Sequence, residues 1–66
     1  MQDIVVVGFG GHAKSVIDTL ERQNQYHIVG FTDVEPRPSY RGYKYLGSDD
    51  ILSDLYRMGV KCAHIA

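Results

Sequence analysis

With 66 residues the chain has room for one small domain, since a chain of this size buries only about 60% of the surface it exposes when unfolded. A hydrophobic share of 44% suits a globular fold, yet no apolar run approaches the ~18 residues of a membrane span and no basic, apolar, small-residue leader follows Met1. The net charge of -1, with Lys and Arg scattered, excludes the basic stripe that tracks a nucleic-acid backbone, and the single cysteine, Cys62, excludes a disulfide framework or a Cys/His metal spacing. Nucleic acid and membrane are therefore not expected as partners, and the expected location is the cytoplasm.

Asp3 to Val7 carries Ile4, Val5, Val6 and Val7, a continuous β-branched run suited to a strand covered on both faces. A glycine loop, GFGGHAKS from Gly8 to Ser15, follows. Ala13, Val16, Ile17 and Leu20 then recur at i, i+3, i+4 and i+7, which predicts a helix running to about Gln23 and stopped by Asn24. Tyr26 to Thr32 reads as a second strand ending at Asp33. An irregular loop from Val34 to Gly42, with Pro36 and Pro38, leads to a short extended stretch at Tyr43 to Leu46.

Gly47 and Ser48 introduce a second helix, with Ser48 at the N-cap and Asp49 and Asp50 in the first turn, where the macrodipole favours carboxylates. Ile51, Leu52, Leu55 and Tyr56 are its expected buried face and Gly59 its C-terminal cap. Lys61 to Ala66 is expected as a final strand with Cys62 buried in it. These elements predict an α/β fold, a Rossmann-like parallel sheet of about four strands flanked by helices. Domains of this class continue with a further helix over the sheet, so residues 1–66 are expected to be one domain, truncated from a longer protein.

The motif that carries chemistry is the loop. Gly8, Gly10 and Ala13 fit G-x-G-x-x-[G/A] between a buried strand and a helix start, the context that the fingerprint requires. Gly8 permits the tight turn, Gly10 lets backbone approach a phosphate, and Ala13 allows close packing of helix on strand. The exposed amides of the first helical turn then face an anion. Lys14 at a helix N-terminus opposes the macrodipole unless an anion lies between them, although a lysine there can also simply reach into water. His12 either adds to that cationic edge or only ends the loop.

Asp33 lies 20 residues beyond Ala13, where dinucleotide enzymes place a ribose-binding carboxylate; a turn-forming carboxylate is the plainer alternative. Tyr40, Tyr43 and Tyr45 are spaced for one half-buried strand face, with base stacking as the alternative. His27 and His64 read as core or edge histidines. No Ser/His/Asp or Cys/His arrangement emerges, so no residue of the chain is assigned a catalytic role.

In the order VVVGFGGHAKSVIDTL, IVGFTD and YLGSDDIL, the chain resembles the N-terminal domain of bacterial sugar O- and N-acyltransferases of the NeuD/PglD type over nearly its whole length. The resemblance implies a Rossmann-like domain that binds a nucleotide-sugar, here a UDP-sugar, followed in the full-length enzyme by a left-handed β-helix of hexapeptide repeats. That second domain would form a homotrimer, bind acetyl-CoA and supply the catalytic histidine. Matched residue by residue, Gly8, Gly10, Gly11, His12 and Lys14 would line the diphosphate and Asp33 would face the nucleoside. Where many members carry further acidic residues after the Asp33 position, this chain has Val34, and no hexapeptide repeat occurs in it. The residues alone leave two alternatives open: the cofactor half of an NAD(P)-dependent oxidoreductase, or a non-catalytic module that senses CoA or a nucleotide.

Overall fold

A computed structural model describes residues 1–65, in which strands β1 (Gln2–Val7), β2 (Tyr26–Thr32), β3 (Tyr45–Gly47) and β4 (Cys62–Ile65) form one sheet in the order β3-β2-β1-β4. All three strand pairings are parallel. Helix α1 (Ala13–Gln23) joins β1 to β2, and a 3-10 turn (Asp49–Ile51) running into helix α2 (Leu52–Arg57) joins β3 to β4. The expected Rossmann-like α/β fold is therefore present.

β1 is central because its apolar run is unbroken. Ile4, Val5 and Val6 are all buried, which only a strand paired on both edges and covered on both faces achieves. α1 lays Ala13, Ile17 and Leu20 against the sheet, and the core joins Ile4, Val6, Ile17, Leu20, Ile28 and Phe31. Asn24 ends α1 in the left-handed conformation, φ 53°, its N–H donating to the Leu20 carbonyl at 3.3 Å, so the expected stop is realised.

The second half differs from its sequence reading in four places. β3 is three residues long and starts at Tyr45; Tyr40 and Tyr43 instead face each other in an isolated antiparallel bridge ahead of it. Ser48 sits in extended backbone before the 3-10 turn, but its hydroxyl caps nothing. α2 has no buried residue: Ile51, Leu52 and Leu55 are half-buried and Tyr56 is 59% exposed. Cys62 is half-buried rather than buried, because β4 is an edge strand whose remaining described residues are exposed. Ala66, the expected last strand residue, lies outside the described residues.

Gly59 does close α2. With φ 104° it donates to the Tyr56 carbonyl at 3.1 Å while Val60 donates to Leu55 at 2.9 Å, the paired bonds of a Schellman cap. His27, on an exposed edge of β2, shares a hydrogen bond with Asp3 at 3.0 Å.

Candidate functional site

Parallel pairing aligns the carboxyl ends of β1 and β2. Val7 is paired with Thr32, so the chain leaves the sheet at Gly8 and at Asp33 side by side. The two exits are bonded together: Gly8 N–H donates to the Thr32 carbonyl at 2.8 Å, and Gly8 has φ 89°, a conformation that other residues rarely adopt. The β3 to β4 connection returns past β1 to the opposite edge of the sheet, so the strand order reverses beside the same loop. Crevices at such reversals, outside the carboxyl ends of strands, are where open α/β sheets take ligands.

Gly10 and Gly11 differ from Gly8 in kind. Neither has positive φ, and a Cβ at either would meet nothing within 4 Å. The fold itself does not require glycine at these two positions. Of the amides around the start of α1, Ala13 donates to Gly10 at 3.2 Å and Val16 to His12 at 3.0 Å; those of Gly11, His12, Lys14 and Ser15 have no backbone acceptor among the described residues. His12 occupies the N-cap position without capping through its side chain, and no acidic residue stands in the first turn. Bare backbone, free amides and the positive end of an eleven-residue helix thus meet at one exposed point.

Asp33 is not a solvated loop carboxylate. Its side chain is 11% exposed, its N–H donates to the Gly47 carbonyl at 3.1 Å, and its carboxylate is bonded by the Arg37 guanidinium. That contact holds the carboxyl below its ordinary range; burial opposes the effect, while the backbone amides of Val34 and Phe9 reinforce it. Neighbouring Thr32 is fully buried and its hydroxyl donates to Asp49 at 3.3 Å, fixing the 3-10 turn rather than facing a ligand.

Four aromatic rings floor the region. Phe9 stacks on Phe31 with centroids 4.4 Å apart, Tyr40 tilts against Phe9 at 5.5 Å, and Tyr45 lies 6.1 Å from Phe31. Three cations stand over them: Lys14 Nζ lies 5.4 Å from the Tyr40 centroid, Arg41 lies 5.5 Å from the same ring, and Arg37 lies 5.9 Å from Phe9. Arg41 is already engaged, by Glu21 at 2.9 Å and by Asp18 at 3.8 Å. Glu21 also accepts from the Tyr43 hydroxyl at 2.7 Å, which raises the pKa of that phenol.

The structure thus brings Gly8, Gly10, Gly11, Lys14 and Asp33 to one end of the sheet. His12 turns elsewhere. It lines a groove of about 630 Å³ between α1 and β4, with Ser15, Lys61 and His64, whereas Lys14 reaches over Tyr40 on the other side of the helix start. Two residues apart on a helix means about 200° of rotation, so the two side chains diverge. Sequence reasoning missed Phe9 and Arg37. The signal available for Arg37 was its spacing of four residues from Asp33, and for Phe9 its place between the two glycines.

Among the described residues no group of His, Cys, Asp and Glu could hold a metal ion, and no helix is long and apolar enough to cross a membrane. The family model for the PglD N-terminal domain matches residues 3–66, so the chain belongs to that family. No curated protein and no solved structure matches it. At the level that the family establishes, this is the N-terminal domain of a sugar-modifying acetyltransferase of the PglD/NeuD type.

Proposed function

We propose that this PglD N-terminal domain binds the nucleotide-diphosphate portion of a UDP-sugar, as the acceptor-holding part of an acetyl-CoA-dependent sugar acetyltransferase of the cytoplasm. One observation carries the reading. Gly10 and Gly11 are glycine where the fold leaves room for a side chain, beside four amides that have no backbone acceptor. A diphosphate lying along Gly8 to Lys14 accounts for both features: it needs the space that a Cβ would fill, and it accepts from the amides at the positive end of α1. Lys14, with no carboxylate partner among the described residues, adds a positive charge at the rim. Asp33, at the end of the neighbouring strand, stands where a ribose follows the phosphates.

The chain's share of the reaction is to bind and orient. We assign the acyl transfer and the trimer interface of the proposed enzyme to hexapeptide-repeat residues that do not occur among these 66. Acetyl-CoA enters as the co-substrate there, and no residue described above is assigned to it. His12 is given no catalytic role; it lines the groove between α1 and β4.

Isothermal titration of the chain with UDP, a UDP-sugar and NADH tests the proposal. Binding of UDP and the UDP-sugar, competitive with each other and weakened by salt, is expected. Binding of NADH without UDP overturns it in favour of the cofactor half of an oxidoreductase.

A further inference from the structure

Resting on that nucleotide-binding reading, we propose that Arg37 is a specificity-determining residue that reserves the site for phosphate-bearing nucleotides. Its guanidinium bonds the Asp33 carboxylate that a ribose needs. It yields that carboxylate only to a ligand whose phosphates take up the guanidinium in turn.

Asp33 has little freedom to meet a ribose by another route. Its side chain is 11% exposed, and Arg37, itself 42% exposed, is its charged partner. A ribose diol that simply displaced Arg37 would exchange a charge-assisted hydrogen bond for neutral ones, a losing exchange for an uncharged nucleoside. In that same position the guanidinium lies 5.9 Å from the ring centre of Phe9, the residue between Gly8 and Gly10, so it borders the glycine loop as well as the carboxylate, and the exchange asks only for a change of side-chain rotamer.

Arginine is suited to both positions, since its planar fork pairs with carboxylate and with phosphate alike. The other cations do not duplicate it. Arg41 is held by Glu21 and Asp18, and Lys14 lies over Tyr40, so neither contacts Asp33. The loop that carries Arg37 is itself pinned: the Tyr40 and Tyr43 amides bond each other's carbonyls at 3.0 and 2.8 Å, and Tyr43 is bonded to Glu21 on α1. Arg37 therefore exchanges partners by side-chain movement from a fixed base.

Calorimetric titration of the chain and its Arg37→Ala and Arg37→Lys variants with uridine and with UDP tests this. The expected signature is a crossing. Arg37→Ala binds uridine about tenfold more tightly, because Asp33 is uncovered, and UDP about tenfold more weakly, because a phosphate partner is gone. Arg37→Lys retains most of the UDP affinity, as a point charge without the fork. Parallel weakening of both ligands in Arg37→Ala would show that Arg37 only props the loop, and unchanged affinities would show that it has no part in binding; either result overturns the proposal. Failure of the unmodified chain to bind UDP overturns the nucleotide-binding reading itself and this inference with it. Binding of UDP with unaltered selectivity in the variants sinks the role of Arg37 alone.

Discussion

Replacing Gly8 and Gly10 separately by alanine separates the glycine that the fold needs from the glycine that a ligand needs. At Gly8, φ is 89° and the N–H donates to Thr32 at 2.8 Å. Alanine there must either hold a left-handed conformation, at a cost of about 1–2 kcal/mol, or relax and strain that hydrogen bond, worth about 1 kcal/mol. At Gly10 the Cβ meets nothing within 4 Å and φ is not positive, so alanine lowers the entropy of the unfolded chain and stabilises by about 0.4–1 kcal/mol. For a domain of this size 1 kcal/mol moves Tm by about 4–8 °C, so the two variants are expected to melt roughly 10 °C apart, on opposite sides of the unmodified chain.

Affinity for UDP runs against stability at Gly10. The added methyl stands between the loop and a phosphate, and loss of one charge-assisted bond weakens binding about tenfold or more. Thermal melts by circular dichroism and calorimetric titration read the two quantities independently. A Gly10→Ala chain that is destabilised as much as Gly8→Ala, or that binds UDP with unchanged affinity, would refute the assignment of Gly10 to a ligand.

Further outcomes are expected elsewhere in the chain. At Gly30, φ 154°, a Cβ would lie 2.6 Å from the Lys44 carbonyl and 2.7 Å from Leu46 Cγ, so Gly30→Ala pushes β3 away from β2 and costs about 1–3 kcal/mol, read as a lowered urea midpoint. The Asp33 pKa is depressed below 3.8 by Arg37; its stabilising contribution is therefore complete above the unfolded value and is lost as pH falls through the folded one. Denaturation midpoints measured downward from pH 7 should fall more steeply through the acid range in the unmodified chain than in Arg37→Ala. Glu21→Ala releases Tyr43 from α1 and leaves Arg41 only its longer contact with Asp18; both lost bonds are exposed, so the melting temperature is expected to change little, while tryptic cleavage after Arg41 accelerates.

The first half of the chain was legible because its signals are local. Ile4 to Val7 could only be a doubly covered strand, the apolar spacing of α1 was unambiguous, and Asn24 stopped the helix as an asparagine in the left-handed region does. The second half depends on partners that periodicity does not reveal. Ile51, Leu52, Leu55 and Tyr56 have helical spacing, but spacing states only that a face exists, and α2 buries none of it within the described residues. Cys62 shows the same limit: an apolar strand is buried only as far as its neighbours cover it, and β4 lies at the sheet edge. Gly30 carries no signal of its own within the expected Tyr26 to Thr32 strand, because the carbonyl that demands it belongs to Lys44.

The candidate site divides along the same line. The half proposed for phosphate, Gly8 to Lys14, is contiguous in the chain and was visible as a motif. The half proposed for the nucleoside is assembled by the path of the loop between β2 and β3, which sets Arg37 against Asp33 and Tyr40 against Phe9. That path is held from a distance by Glu21, two turns along α1 from the phosphate end, through bonds of 2.9 and 2.7 Å to Arg41 and Tyr43. On the proposed reading, the helix whose first turn would offer amides to a phosphate also anchors, through its later turns, the loop that sets Arg37 against Asp33. A rigid helix of this length keeps both ends in register, so a ligand that seats its phosphate on the loop meets Arg37 and Asp33 at a fixed distance. On the proposed reading, selectivity for the nucleotide would reside in the distance between two local structures, neither of which is selective by itself.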